Sequence, residues 1–369
     1  MKHLFKLFLV LNLAFLTSCA TYKTQISGEP LESQKFEQRE ETQILHTFYL
    51  IGDAGNSKMD TLSDGLKLLR EELQKDKNSA STLLFLGDNI YPAGLPKEDD
   101  PTRELAEYRL LVQLKIAQNS NSKSYFIPGN HDWYAKEGTK REREYVDKTL
   151  GEHSFLPLNG AFFTRKKISD KIELIVIDSE KFITHQGLNQ KMLAYQSLKQ
   201  EIAQIPADKT LIVASHHPLF SSGEHGGKFS FKDHIFPLSD KIPMPLLGSL
   251  VVASRQLGIA SNTDLAHKKY KDFRENLLLI FGERPLYFVA GHEHILELIQ
   301  IGDFHQITSG AGSKSGPSKL GKHTMFTSSN QGFATLTLLE GNRAEVKFIS
   351  IDKNGIQSEH SFLVSALKD

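Results

Sequence analysis

The sequence predicts an α/β fold in which β-sheets are covered by helices, and two alternations and a composition carry that prediction. From Phe48 onward, short apolar β-type runs are separated by longer amphipathic segments: Phe48–Ile51, Met59–Leu73, Leu83–Leu86, Glu104–Ile116 and Tyr125–Ile127. A second series has strands at Ile172–Ile177, Leu211–Ala214 and Leu286–Ala290, with helices at Gln190–Ile205 and Asp264–Ile280. Strands spaced by helices imply βαβ units. The 369 residues are 39% hydrophobic and 24% charged, enough apolar content for a large core, which excludes a disordered chain, a collagen-like repeat and a small disulfide scaffold. Lys and Arg (44) balance Asp and Glu (44), so there is no bulk positive field and no nucleic-acid partner is expected.

Taken in order, the first element is a targeting segment. Lys2 and Lys6 lead into the apolar run Leu7–Leu16, too short to span a bilayer but matching the apolar core of a signal peptide. The run ends in Leu16-Thr17-Ser18-Cys19, and Cys19 is the only cysteine. This tetrad resembles a bacterial lipobox, whose cysteine is lipidated and becomes the first residue of the mature protein. The expectation is a signal peptide over 1–18, a lipid on Cys19 that makes a membrane the partner, and a location in the cell envelope. Ala20 and Thr21 lack the Asp linked to inner-membrane retention, so the outer membrane is expected. Residues 19–45, rich in Thr, Gln, Ser and Glu, read as a flexible tether. Residues 46–369 read as one domain. Within it, 226–263 carries Pro237, Pro243, Pro245, Gly248 and Gly258 and reads as a long loop insertion. Lys140, Arg141 and Arg143 read as a solvated helix face, and Trp133 and Tyr134 as loop packing. After Ile295 the pattern is strands without helices (Leu296–Ile301, Gln306–Thr308, Phe333–Leu339, Ala344–Ile349, Ser361–Val364), read as meander edges of a sheet.

Five strand ends run directly into polar clusters: Gly52-Asp53-Ala54-Gly55-Asn56, Gly87-Asp88-Asn89-Ile90-Tyr91, Gly129-Asn130-His131-Asp132, Ser215-His216-His217-Pro218 and Gly291-His292-Glu293-His294. Ligands of open α/β sheets bind outside the carboxyl ends of strands, so the five can converge. Carboxylate and imidazole suit hard and borderline metals, and no thiolate is available for a soft site. Competing motifs fail. The fourth residue after His292 is Leu296, so no His-Glu-x-x-His exists; Ser57 stands where a P-loop needs its second Gly; Ser315 breaks the dinucleotide pattern begun by Gly310-Ala311-Gly312; and no Gly-x-Ser-x-Gly elbow occurs. Metal-assisted hydrolysis remains.

In this order the clusters resemble those of the calcineurin-like metallophosphoesterases, and within them the purple, tartrate-resistant acid phosphatases, over about residues 46 to 340. Many members begin with Asp-x-His; here Gly55 takes the place of that His. The branch lacking it uses a Tyr three residues after the second Asp, and Tyr91 stands there. The resemblance implies a four-layer αββα architecture of two β-sheets flanked by helices and a catalytic domain over 46–369. It implies that Asp53, Asp88, Tyr91 and His294 hold iron(III), and that Asp88, Asn130, His216 and His292 hold a divalent ion (Fe2+, Zn2+ or Mn2+). His131 would contact the substrate phosphate. Ser222-Gly223-Glu224-His225-Gly226 resembles the loop bearing the acid for the leaving group, making His225 the candidate and Glu224 a supporting residue, with His217 and Asp132 also behind the ligands. The implied reaction is hydroxide attack on the phosphorus of a phosphate ester, most simply a monoester. A phosphodiesterase or nucleotide-cleaving enzyme on the same site, or a surface lipoprotein that binds without catalysis, are the rival readings.

Overall fold

The computed structural model describes residues 19–27, 44–76, 80–185, 187–237, 241–341 and 343–365. The expected signal peptide, residues 1–18, lies outside them. After β1 (Gln25–Ile26) comes a β-α-β-α-β unit: β2 (Ile44–Ile51), α1 (Asp64–Lys75), β3 (Ser81–Phe85), α2 (Arg103–Gln118) and β4 (Lys123–Phe126). The short helices α3 (Asn130–Tyr134) and α4 (Gly138–Leu150) lead to β5 (Phe163–Lys167) and β6 (Ile172–Ile177). Next, α5 (Ser179–Thr184) and α6 (Leu188–Ala203) precede β7 (Thr210–Ser215), and α7 (Phe231–Ile235), α8 (Pro245–Gln256) and α9 (Lys268–Phe281) precede β8 (Leu286–Ala290). Six strands finish the chain: β9 (Leu296–Ile301), β10 (Phe304–Ser309), β11 (Thr324–Ser328), β12 (Gln331–Leu339), β13 (Arg343–Ile351) and β14 (Gln357–Ser365).

Two mixed sheets result. One runs β1-β11-β9-β10-β8-β7-β6-β5 and the other β14-β13-β12-β2-β3-β4. β2, β3 and β4 are parallel, as are β6, β7, β8 and β10, so the carboxyl ends of each set share one edge. Alternation along the strands then builds the layers. Phe48, Leu50 and Leu84 of one sheet meet Leu174, Val176, Ile212, Val289 and Ile307 of the other in the central core. Tyr49, Ile51, Leu83 and Phe85 point the opposite way onto Leu66, Leu69, Leu110 and Leu114 of α1 and α2. On the far side Ile175, Val213 and Phe288 pack on Phe182, Leu198, Phe273 and Leu277 of α5, α6 and α9. This is the four-layer αββα arrangement. Each such fully buried side chain contributes about 1.5–3 kcal/mol, so the sandwich holds the strand ends rigidly.

Several expectations need correction. The 226–263 insertion is not loop throughout, since it contains α7 and α8. Pro245 starts α8, a position where its missing N–H costs nothing, and Gly248 lets α8 approach the His234 carbonyl of α7. The 19–45 tether is built into the domain over 19–27: Gln25 and Ile26 pair antiparallel with Thr327 and Phe326 of β11, and Ala20 N–H donates to Phe229 O at 3.0 Å. Residues 28–43 lie outside the described residues. The tail forms the expected meander edge over β12, β13 and β14, but not all of it is edge. β10 lies between β8 and β9, and β12 lies between β13 and β2 in the other sheet, because their apolar faces are needed on both sides of the core. α9 begins at Lys268 rather than Asp264, whose carboxylate is engaged elsewhere. Arg141 and Arg143 are half-buried rather than solvated; Arg141 donates to Leu95 O and the Arg143 guanidinium lies 5.5 Å from the Phe155 ring.

Candidate metal centre

The turns that carry the clusters are tied to one another before any side chain is considered. Asp53 N–H donates to Gly87 O at 2.9 Å, Gly55 N–H to Asp88 O at 3.1 Å and Gly291 N–H to His216 O at 3.0 Å. Asp53, Asp88 and His292 all hold positive φ (55°, 54° and 69°), which aims their side chains into the space between the turns. For a His this is an uncommon backbone conformation that only a well-packed surrounding maintains. Gly55 shows why no ligand can stand at its position: a Cβ there would lie 2.2 Å from the Asn89 carbonyl carbon.

Two groups of side chains meet at this edge. In the first, the Tyr91 hydroxyl donates to Asp53 Oδ1 at 2.8 Å and lies 3.2 Å from His294 Nε2, itself 3.5 Å from Asp53 Oδ1. In the second, Asn130 Oδ1 lies 3.1 Å from both His216 Nε2 and His292 Nδ1. Asp88 stands between the groups, its Oδ1 3.4 Å from His216 Nε2, and His292 N–H donates to Asp53 Oδ2 at 2.7 Å. Ligand atoms of Asp53, Asp88 and His216 fall within 4.8 Å of one another.

The donor chemistry fits a cation. His216 Nδ1 lies 2.8 Å from Leu86 O and His292 Nε2 lies 2.9 Å from Thr263 O. A carbonyl only accepts, so these nitrogens carry the protons and the other nitrogen of each ring carries a lone pair. Asn130 Nδ2 donates to Tyr134 OH at 2.6 Å, which turns the amide oxygen toward the two imidazoles. Three electron-pair donors thus converge, an arrangement that a cation between them satisfies. The field is negative as well. Burial pushes the His216 imidazole down, and Asp88 and Asp53 more than reverse this. Burial raises the Asp53 carboxyl, but His294, His216 and Tyr91 outweigh it and hold it at about 2. Burial, with the Asp53 and Asp88 carboxylates, pushes the Tyr91 phenol well above its ordinary value, so the proton stays until a cation takes its place.

The remaining candidates surround this centre. His131 N–H donates to Asp88 Oδ1 at 2.9 Å, and its half-buried ring lies 4.3 Å from that of Tyr91. His225 stacks on His292 with ring centroids 4.1 Å apart and points Nδ1 at Asp264 Oδ1, 3.0 Å away. Asp132 is buried and accepts from the N–H groups of Gly129, Asn89 and Ile90, fixing the turn of Asn130 and Asp88; burial and the nearby Asp88 push it up to about 7. His217 is buried against Ser179 Oγ at 2.8 Å, away from the Asn130 oxygen. The charges acting on Glu224 are those of Asp233, Arg255, Glu293 and His225, so it belongs to the loop around His225. Sequence reading missed four participants. Asp264 and Arg255 (Nη2 to Asp264 Oδ1 2.7 Å) back His225, Lys314 places Nζ 3.4 Å from the Tyr91 ring centroid, and Glu293 accepts from Ser221 Oγ and Gly226 N–H to hold the His225 loop. Glu293 stands within the Gly291-His292-Glu293-His294 cluster; the other three carry no local signal, since each lies at least nine residues from its partner. Tyr134, read as packing, instead bonds Asn130.

Comparison with known proteins bears on the family and the fold. The family model described as calcineurin-like phosphoesterase matches residues 46–296. Among solved structures, GAP50, the anchor in the inner membrane complex of Plasmodium, is similar with a TM-score of 0.53 and 19% identity, over 86% of this chain and 89% of that one. Purple acid phosphatase PPD1 from yellow lupin (Lupinus luteus) seeds also has a TM-score of 0.53, with 14% identity over 88% of this chain. The match covers 54% of the lupin enzyme, so this chain spans about half its length. At these identities the likeness is one of fold. No curated protein matches the chain.

Proposed function

The chain belongs to the calcineurin-like phosphoesterase family, and we propose that it is a phosphomonoesterase of the acid-phosphatase type working with iron(III) and a divalent ion (Fe2+, Zn2+ or Mn2+). The observation that carries the proposal is the pair of side-chain groups joined at Asp88: Asp53, Tyr91 and His294 on one side, Asn130, His216 and His292 on the other. The first group would hold the trivalent ion, for which a phenolate and a carboxylate are hard anionic ligands; the second, neutral apart from Asp88, suits a divalent ion. Bound there, the two ions supply the positive charge that lets an anionic ester meet an anionic nucleophile.

The chain's own residues do the rest. His131, beside Asp88 and Tyr91, faces the space where the phosphate oxygens would lie. His225 donates from Nε2 to the leaving alkoxide, because its Nδ1 is taken by Asp264. Asp132 and Glu293 orient the turns that present these groups. We also propose that Cys19 carries a lipid and holds the enzyme in the cell envelope, at the outer membrane.

Steady-state rates of the full-length protein, loaded with iron and zinc, on paired aryl monoester and diester substrates test the reading. Dominant monoester turnover is expected. Diester preference would move the function to nucleotide or phospholipid cleavage on the same site. Since the GAP50 relative is described as an anchor, metal uptake without turnover of either ester would favour a binding protein. Iron-loaded, oxidised protein should be coloured by tyrosinate charge transfer and Tyr91→Phe should lose that colour; a colourless parent refutes Tyr91 as a ligand.

A further inference from the structure

The insertion between β7 and β8 presents one face to the domain and the other to solvent. Inward, α8 uses Gly248 against the His234 carbonyl, the buried Val252, and Arg255, which reaches Asp264. Outward, Leu246, Leu250, Ala253 and Leu257 follow at steps of four, three and four residues and so share one helix face. Leu246 is 84% exposed, Leu250 68% and Leu257 71%, and Ile242 and Ile259 extend the apolar surface at either end. No charged side chain interrupts this face. A water-facing helix has the opposite pattern, and a contiguous apolar patch of this kind marks a surface that something covers.

The chain's own N-terminus indicates what covers it. Ala20 N–H donates to Phe229 O, and Thr21 and Ser318 exchange N–H···O bonds of 2.9 and 3.0 Å. The Arg255 guanidinium of α8 lies 4.7 Å from the centroid of the Phe229 ring. The strap that begins at Cys19 is therefore pinned one side chain away from α8, so a lipid on Cys19 would be attached next to this helix. The charge agrees: with Arg255 paired to Asp264, residues 226–263 still carry Lys228, Lys232 and Lys241 against Asp233 and Asp240, and the Asp233 carboxylate is turned to the N–H and hydroxyl of Ser230. An apolar helix face with basic neighbours is the arrangement that seats a helix in an anionic lipid interface.

We propose that the outward face of α8 docks on the lipid bilayer to which the N-terminus is attached, holding the domain at the membrane through two adjacent points. The proposal rests on the N-terminal attachment proposed above and is independent of the phosphate chemistry. Arg255 then joins the seated helix to Asp264 and His225, so the leaving-group side of the site lies on the membrane side of the domain.

The test uses the full chain with Leu250→Cys, nitroxide-labelled and reconstituted in vesicles of phosphatidylethanolamine and phosphatidylglycerol. Ile356→Cys, on the exposed turn between β13 and β14, is the comparison site, and the parent chain, with Cys19 alone, is the labelling blank. Both positions are exposed (68% and 63%), so neither change disturbs the core. The label at 250 should collide several-fold less with a water-soluble nickel complex, and more with oxygen, than the label at 356. Equal nickel access at both positions on a vesicle-bound chain overturns the docking and leaves the attachment. Shielding of position 250 from nickel and oxygen alike means that protein covers the face, a second copy or another partner, and also overturns it. A chain that does not associate with the vesicles overturns attachment and docking together.

Discussion

Replacing His225 by Ala isolates proton delivery from the rest of the site. Its Nδ1 lies 3.0 Å from Asp264 Oδ1, and Arg255 Nη2 holds the same oxygen at 2.7 Å, so the imidazole is oriented by a fixed carboxylate. Burial pushes the His225 imidazole down, and the Asp264 hydrogen bond and the Glu293 charge more than reverse this. The acid form therefore persists to higher pH than in a free imidazole. General acid catalysis is worth about 10²–10⁴ in rate, or roughly 3–5 kcal/mol of barrier. His225→Ala should thus lower kcat/KM for an alkyl phosphate by about 10²-fold or more. An aryl phosphate, whose phenolate leaves without a proton, should lose much less. Asp264→Asn keeps the shape and removes the charge; a hydrogen bond to a charged group is worth about 1.5–3 kcal/mol, so the alkyl rate should fall about 10- to 100-fold. Because the raised imidazole must be protonated to act, the alkaline limb of the alkyl profile should move to lower pH in Asp264→Asn. The assay is kcat/KM for matched alkyl and aryl monoesters over about pH 5 to 9. Equal losses on both esters would refute the acid role, and an unmoved alkaline limb would refute the part given to Asp264.

Three further outcomes follow from the same structure. Glu297, buried in β9 and accepting from Ser222 N–H at 2.9 Å, is pushed up to about 8 by burial and by Glu293. Between its ordinary value near 4.3 and that point the folded state keeps a proton the unfolded state has released, so stability falls as pH rises, by an amount on the order of a few kcal/mol; Glu297→Gln should flatten part of that slope in denaturant titrations, and parallel slopes would contradict the assignment. Gly55→Ala would put a Cβ 2.2 Å from the Asn89 carbonyl carbon, so the Asp53 and Asp88 turns must separate; a loss of several kcal/mol in unfolding free energy, together with loss of bound iron, is expected, and an unchanged melting temperature would show that the turn gives way freely. Lys314→Ala removes a cation held over Tyr91, and the KM for alkyl and aryl esters should rise alike, about 10-fold, for a lost charged contact; an unchanged KM would place Lys314 outside the substrate's reach.

Much of the fold was readable in short stretches. Ile172–Ile177, Leu286–Ala290 and Leu296–Ile301 have the observed strand limits, because each is a largely apolar stretch that ends at Asp178, Gly291 or Gly302. The polar clusters after β2, β3, β4, β7 and β8 were equally plain, since a turn at the end of a parallel strand is a local event. What escaped was either irregular locally or settled at long range. Pro245, read as a loop marker, opens a helix, which its ring permits only at the first turn. Asp264, read as helix, bonds a histidine 39 residues away. Residues 20–27, polar and without period, are held by main-chain bonds to Phe229, Ser318 and β11.

The residue order by itself determined the alternation of strands and helices and the identity of the side chains at each strand end, because both depend on neighbours within a few positions. Tertiary structure decided which sheet received β10 and β12, that the insertion became helical with its leucines outward, and that Asn130, His216 and His292 share one point. The reason is physical: those outcomes come from burying apolar faces against partners far along the chain and from satisfying polar groups by them, and neither partner is marked in the local sequence.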